Sequence, residues 1–368
     1  MLLDNTNTNL PEASVGQVID TLTTLYTNAI NTGLPLRSIP APFLWGPCGV
    51  GKSEGVRQLA AALERNTGRR ISVTDVRLLL FSPVDLRGVP VASADGFSDW
   101  LKPRVFDMDA SDDCVNILFL DELSAAPQSV QTAAYQITLD RVIGEHRLPE
   151  NCIVIAAGNR TTDRSVSFRM PHALANRLLH FNVRSDVFSW LEWSIHQGID
   201  RRVIGYVSFD NSRLNMTPET SDMAFPTPRS WTFVSNLLKA MQPEKVSDIH
   251  MLIASAVGVD TAVAFEAFCE VYASLPDIRQ IFKGVCTIYP QSPQVLYALI
   301  SSLVAAVGDM EDVSATELEN VCAYAVRFPA DFAMTFFSDL SRIDGVKEKL
   351  TRISVLQQWL SKKHRRLA

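Results

Sequence analysis

Residues 42–55 read PFLWGPCGVGKSEG: a short apolar run, a glycine-rich loop closing on Lys-Ser, and the opening of a helix. The loop fits G-x-x-x-x-G-K-[ST] at Gly46, Gly51, Lys52 and Ser53. Glycines at such positions let backbone N–H groups wrap a phosphate at a helix N-terminus, where the helix dipole favours an anion. The wrapping backbone runs over Gly46, Pro47, Cys48, Gly49, Val50, Gly51, Lys52, Ser53 and Glu54. In this pattern the Lys52 ammonium reaches the β- and γ-phosphates and the Ser53 hydroxyl ligates Mg2+. Flanking elements agree with the reading. Residues 43–45 suit a buried strand, and Val56, Leu59, Ala60 and Leu63 recur at helical spacing behind the loop.

Further along the chain, NILFLDEL at residues 116–123 is a continuous apolar run ending in two acids. An acid at the C-terminal end of a buried parallel strand stands where ligands bind in such sheets. Asp121 is placed to hold Mg2+, and Glu122 to orient and polarise an attacking water. VIAAGNR at residues 154–160 puts Asn159 at the end of another buried strand, where its amide can hold that water or the γ-phosphate. RRISVTDVRLLL at residues 69–80 reads as a β-type run, and SPVDLRGVPVASADGFSDWLKP at residues 82–103, rich in Pro, Gly and Asp, as a loop or small insertion. LLHFNV at residues 178–183 reads as a fifth strand. Apolar strands alternating with helical segments predict a parallel α/β sheet. Past residue 187 the strand signal fades. Helix-length periodic segments take over, broken at TPETSDMAFPTPRS, LPDIRQ, YPQSPQ and VGDMEDVS.

Length and composition set the frame. A chain of 368 residues, 47% hydrophobic and 20% charged, has ordinary globular composition with room for two or three domains. A formal net charge of −6 argues against a protein that coats nucleic acid, because no excess of Lys and Arg is present to displace counterions. The six cysteines show no C-x-x-C spacing, so neither a zinc site nor a disulfide framework is expected. Cys48 lies inside the loop itself, where it reads as a small residue that fits; alkylating it is expected to block the phosphates. Residues 250–275 are long and apolar, but Asp260, Glu266 and Glu270 interrupt them, so one or two buried helices are expected rather than a membrane span. The first residues are polar and lack a signal-peptide pattern, which points to a cytoplasmic protein.

In order and spacing these blocks resemble those of the AAA+ ATPases and, within them, the MoxR-like branch. GPCGVGKS resembles Walker A, ILFLDEL Walker B, AAGNR sensor 1, PHALANR the segment before the last core strand, and FPTPRSW sensor 2. The likeness covers about residues 14–240 and leaves the remainder without a family signal. It implies a P-loop NTPase core with a parallel sheet over residues 1–187, a helical lid over 188–275 and a helical C-terminal extension over 276–368. It implies ATP and Mg2+ as the bound species, and ATP hydrolysis coupled to conformational work. Carried over to this chain, Arg177 looks like the arginine finger that reaches a neighbouring subunit's γ-phosphate, with Arg160, Arg164 and Arg169 as nearby rivals. Arg229 looks like the sensor 2 arginine of the lid.

The same resemblance implies a homo-oligomer, usually a hexameric ring, since each site is completed by the next protomer. MoxR-like proteins act as chaperone-like remodellers, typically of a partner with a von Willebrand A-type domain. A nucleic-acid-directed motor or loader is the alternative, and would call for basic pore loops. The candidate loops are instead mixed in charge: Asp95 and Asp99 stand beside Lys102 and Arg104, and Glu145 beside Arg141, His146 and Arg147. Phe97 and Trp100 in the first loop are candidates for gripping a client.

Overall fold

In the computed structural model, described for residues 10, 12–160, 163, 170, 175–218, 222–272, 275–308, 310, 313–343 and 345–367, the chain divides into two compact units, Met1–Asp186 and Val187–Ala368. Side chains of residues 271–272 and 362–367 are not described.

The first unit is built on a six-stranded sheet. Its strands are β1 (Glu12–Ser14), β2 (Pro42–Trp45), β3 (Arg70–Arg77), β6 (Cys114–Asp121), β9 (Cys152–Gly158) and β10 (Leu179–Arg184), in the order β1-β10-β2-β9-β6-β3. Every neighbouring pair runs parallel. Two short antiparallel hairpins complete the unit: β4 (Val89–Ala92) with β5 (Ser98–Leu101), and β7 (Val142–Ile143) with β8 (His146–Arg147).

The alternation of side chains along each strand explains why the central runs are apolar throughout. In β6, Val115, Ile117 and Phe119 face a core formed with helices α1 (Val15–Thr32) and α2 (Lys52–Thr67). Leu118 and Leu120 face a second core that takes Val130, Ala134 and Ile137 from α4, with α3 (Pro83–Arg87) preceding α4 (Gln128–Asp140) in the chain. Strand β9 divides in the same way, with Ile153, Ile155 and Ala157 on one side and Val154 and Ala156 on the other. A strand covered on both faces has no polar side to display.

Helix α1 starts on a capping box, in which the Ser14 hydroxyl accepts from the Gln17 N–H and the Gln17 side chain accepts from the Ser14 N–H. It meets α2 closely because residue 55 is glycine: a Cβ there would stand 2.8 Å from Val15 Cγ1.

Four expectations need correction. A sixth strand, β1, pairs with β10 at the sheet edge, and its three residues carry no periodic signal of their own. The run RRISVTDVRLLL is not one strand: β3 ends at Arg77 and residues 78–80 form a 3-10 turn. β3 is also not apolar on both faces, because it is the other edge strand and pairs only with β6. The Pro- and Gly-rich segment read as a loop contains α3 and the β4–β5 hairpin.

The second unit is helical among its described residues. One core gathers Trp190, Tyr206, Trp231, Phe265 and Phe268, and another gathers Leu296, Leu303, Cys322, Phe336 and Leu340. Helix Pro293–Gly308 packs on Arg201–Phe209 at Gly205, where a Cβ would fall 2.5 Å from Ser301 Oγ. The long apolar segment is two helices, His250–Val257 and Val259–Tyr272, divided at Gly258 with its φ of 84°. No described helix is long and apolar enough to cross a membrane. The expected class, a P-loop α/β core followed by helical structure, is the one observed.

Candidate functional site

Strands β2, β6 and β9 end side by side, and the residues singled out at their C-terminal ends converge. The loop after β2 turns on Gly49 and Gly51, whose φ values of 79° and 105° belong to the region that glycine enters without steric cost. Gly46 is needed for a different reason: a Cβ would stand 2.7 Å from the Val183 carbonyl oxygen of β10. Its N–H donates to the Gly158 carbonyl of β9.

Lys52 opens α2 and is buried, 9% exposed. Its ammonium donates to the carbonyls of Gly46 and Pro47, the latter at 3.0 Å, and to Asn159 Oδ1 at 2.9 Å. A buried ammonium costs free energy unless acceptors surround it. The acceptors here are the loop it would share with a phosphate and the amide at the end of β9. One residue on, the Ser53 hydroxyl donates to Asp121 Oδ2 at 2.8 Å. The two groups expected to ligate Mg2+ are therefore in contact across 68 residues of chain. Among the described residues no set of three or more His, Cys, Asp or Glu is placed to hold a metal. One hydroxyl and one carboxylate suit a cation that keeps water and phosphate oxygens as its remaining ligands, as Mg2+ does.

Glu122 has a φ of 59°, one of three non-glycine residues with positive φ among those described. A side-chain-bearing residue held there costs on the order of 1–3 kcal/mol, and such outliers concentrate at functional sites. Four hydrogen bonds impose it. The Glu122 N–H donates to Asp121 Oδ1 at 2.8 Å, the Leu123 N–H to the Ala157 carbonyl, and the Ala125 and Ala126 N–H groups to the Glu122 carbonyl. Asp75 on β3 adds a third acid nearby, its carboxyl pushed up by burial and then by the Asp121 charge.

Ser124 is a member that the motif reading missed. It is buried, and its hydroxyl accepts from the Asn159 N–H and donates to the Asn159 carbonyl, both at 2.9 Å. Gly158 admits this contact, since a Cβ there would stand 2.6 Å from Ser124 Oγ. A serine two residues past the acids is the only trace it leaves in the sequence. Ser124→Ala orphans the Asn159 N–H and is expected to lower the stability of this unit by about 1–3 kcal/mol. Chemical denaturation monitored by tryptophan fluorescence measures it.

The arginines are placed differently from one another. Arg177 is exposed on the turn preceding β10. Arg160 is engaged within its own unit: Nη1 donates to Asn182 Oδ1 at 2.6 Å and Nε to Asp163 Oδ1 at 3.1 Å. Arg164 and Arg169 lie outside the described residues, as do residues 171–174 of the PHALANR block. Arg229 is exposed in the second unit, one residue past the Pro228 that opens helix Pro228–Met241. A cation in the first turn opposes the helix dipole at a cost of about 0.3–1 kcal/mol. Helix stability alone therefore does not account for an arginine at that position. Cys48 is exposed, whereas the other five cysteines are buried.

Comparison with known proteins adds loose likenesses. No family model matches the chain, and no curated protein matches it. Among solved structures, NtrX from Brucella abortus is 13% identical at a TM-score of 0.35, covering 85% of this chain and 67% of its own. A RuvB mutant from Thermotoga maritima is 16% identical at 0.34, covering 84% and 90% respectively. PCH-2 from C. elegans is 15% identical at 0.35, covering 95% and 73%. Scores this low carry no argument about substrate, assembly or partner. What stands on this chain's own residues is an ammonium, a hydroxyl, two acids and an amide gathered at the carboxyl ends of three adjacent parallel strands.

Proposed function

We propose that this chain is an ATP-hydrolysing AAA+ ring ATPase of MoxR type, a chaperone-like remodeller of a protein partner. The observation that carries the proposal is the convergence of Lys52 on Asn159 and of Ser53 on Asp121 beside a glycine loop. Two long-range contacts, each joining residues that the motif reading had paired by role, are what a nucleoside triphosphate site requires.

The division of labour follows from the geometry. Backbone N–H groups of residues 46–54 would cradle the phosphates, and the Lys52 ammonium would exchange its carbonyl acceptors for phosphate oxygens. Ser53 and Asp121 would hold Mg2+, which supplies charge neutralisation for the departing phosphates. Glu122 would take the proton of the attacking water, and Asn159 would fix that water or the γ-phosphate from the opposite side. Arg229 would contact the nucleotide from the helical lid, and Arg177 the nucleotide of the next subunit. In this reading residues 188–275 are the lid, 276–368 an extension, and the assembly a hexameric ring.

A protein client is favoured by the mixed charge of the two hairpins and by how they are built, and the MoxR-like resemblance makes that client one with a von Willebrand A-type domain. The His146 imidazole Nε2 donates to the Trp100 carbonyl at 2.7 Å, joining the β7–β8 turn to the β4–β5 arm. Phe97 stands exposed near the tip of that arm, while Trp100 is half-buried. Exposed aromatic and aliphatic side chains on an arm suit gripping a polypeptide better than tracking a phosphate backbone.

The test is direct. Purified chain with Mg2+ and ATP is expected to release phosphate and to assemble into a ring on ATP addition, read by mass photometry. No turnover and no assembly would overturn the proposal. Stimulation of turnover by DNA, with none by a von Willebrand A-type protein, would replace the client with nucleic acid. Alkylating Cys48 with a bulky maleimide is expected to abolish binding of a fluorescent ATP analogue, and undiminished binding after quantitative modification would remove Cys48 from the cradle.

A further inference from the structure

The turn that carries Arg177 is held by a chain of side-chain contacts that the proposed catalytic set does not use. Trp45 is the last residue of β2 and stands immediately before Gly46 of the glycine loop. Its indole Nε1–H donates to His180 Nδ1 at 2.9 Å. The other ring nitrogen, His180 Nε2, lies 2.8 Å from the Ala175 carbonyl oxygen.

An indole N–H only donates and a carbonyl only accepts. The imidazole must therefore be neutral, with its proton on Nε2, accepting from Trp45 and donating to Ala175. Burial lowers the proton affinity of His180 and keeps it in this form, against the opposing pull of the Ala175 carbonyl. The rings of Trp45 and His180 stack with an interplanar angle of 23°, and Phe43 packs on Trp45 at 4.2 Å.

Residues 175–178 form a tight crest. The Leu178 N–H donates to the same Ala175 carbonyl at 3.3 Å, and the Leu178 side chain is buried in the core. Asn176 and Arg177 between them are exposed. One end of the crest is thus fixed by apolar packing and the other by His180. The loop side is equally constrained, because Gly46 abuts the Val183 carbonyl of the strand that carries His180.

We propose that His180 is a positioning residue for Arg177, tying the turn that bears it to the strand that enters the phosphate loop through Trp45 and the Ala175 carbonyl. This rests on Arg177 acting in trans, as proposed above. Positioning matters because a guanidinium displaced by about 1 Å from a developing charge loses roughly 10²-fold in rate. The arrangement also joins each subunit's own nucleotide loop to the arginine it lends its neighbour, through two hydrogen bonds and one ring.

Complementation between subunits tests it. Glu122→Gln removes a subunit's own hydrolysis but leaves its arginine, whereas Arg177→Ala removes the arginine but leaves the pocket. Mixed assemblies of these two are expected to regain turnover. His180→Phe removes both hydrogen bonds and is expected to lower turnover of the pure assembly roughly 10- to 100-fold, with affinity for a fluorescent ATP analogue unchanged. Mixed with Glu122→Gln subunits it should regain activity; mixed with Arg177→Ala subunits it should not.

A role in folding alone gives no such asymmetry. Rescue by both partners, rescue by neither, or a wild-type rate in the pure assembly would overturn the proposal. Trp45→Phe removes the donor to Nδ1 but leaves the His180–Ala175 hydrogen bond in place, and it should show the same asymmetry, which keeps the test decisive where His180→Phe folds poorly. Failure of Glu122→Gln and Arg177→Ala to complement each other identifies a different fault, the trans role of Arg177, and removes the positioning proposal with it.

Discussion

Arg177→Ala is expected to reduce ATP turnover of the assembled protein by roughly 10³- to 10⁵-fold, the range over which an arginine supplied in trans acts in phosphoryl transfer. Nucleotide affinity should change little, because the loop, Lys52 and the acids all belong to the same subunit. The size of the effect follows from charge. In the proposed reaction, negative charge would accumulate on the oxygens of the separating phosphoryl group, which Lys52 and a bound Mg2+ would neutralise only in part. A guanidinium entering a water-excluded interface meets that charge at low dielectric and with planar donors.

Exposure on the crest before β10 leaves Arg177 able to reach another subunit. Arg160 would first have to break its bonds to Asn182 and Asp163, so Arg160→Ala is expected to act on the stability of its own subunit instead. Steady-state phosphate release, with affinity for a fluorescent ATP analogue measured in parallel, decides between them. A turnover within tenfold of wild type for Arg177→Ala would exclude it as the finger.

Glu122→Gln should lower turnover by roughly 10²- to 10⁴-fold, the contribution of a well-placed general base. The amide keeps the size and shape of the carboxylate but cannot take the proton of the attacking water. The substitution is also gentle on the backbone. The positive φ at residue 122 is imposed by hydrogen bonds of the main chain and of Asp121, none of which uses the Glu122 side chain. The variant should therefore bind ATP at wild-type affinity and accumulate as an ATP-bound oligomer. Size measurements with and without ATP, beside a radiolabelled filter-binding assay, check both halves. Turnover near wild type would move the general base elsewhere, with Asp75 on β3, whose proton affinity is raised by desolvation and by the Asp121 charge, the next candidate.

The site was legible in sequence where its chemistry is local. A glycine loop between an apolar strand and a helix has few uses, and two acids closing an apolar run mark a strand's carboxyl end. The structure brings Lys52, Ser53, Asp121, Glu122 and Asn159 together at those ends. The sheet was legible for the same reason: strands buried on both faces read as apolar runs, and β2, β6 and β9 are of this kind. Edge strands are harder: β1 escapes the reading, and β3 reads as a β-type run but is not apolar on both faces. β1 is three residues long, and β3 wets one edge, so neither carries a continuous apolar signature.

What the sequence determined by itself is therefore the glycine loop, the buried strands and the polar residues at their carboxyl ends, because loop conformation and strand burial are written in neighbouring residues. Only the tertiary structure decided how those residues are held. Ser124 grips the backbone of Asn159 from 35 residues away, Arg160 is committed to Asn182, and Trp45 meets His180 across 135 residues. Nothing in the local sequence marks these pairings. They arise because parallel strands distant in the chain lie side by side, and because a hydrogen bond depends on where two groups arrive in space, whatever their separation along the backbone.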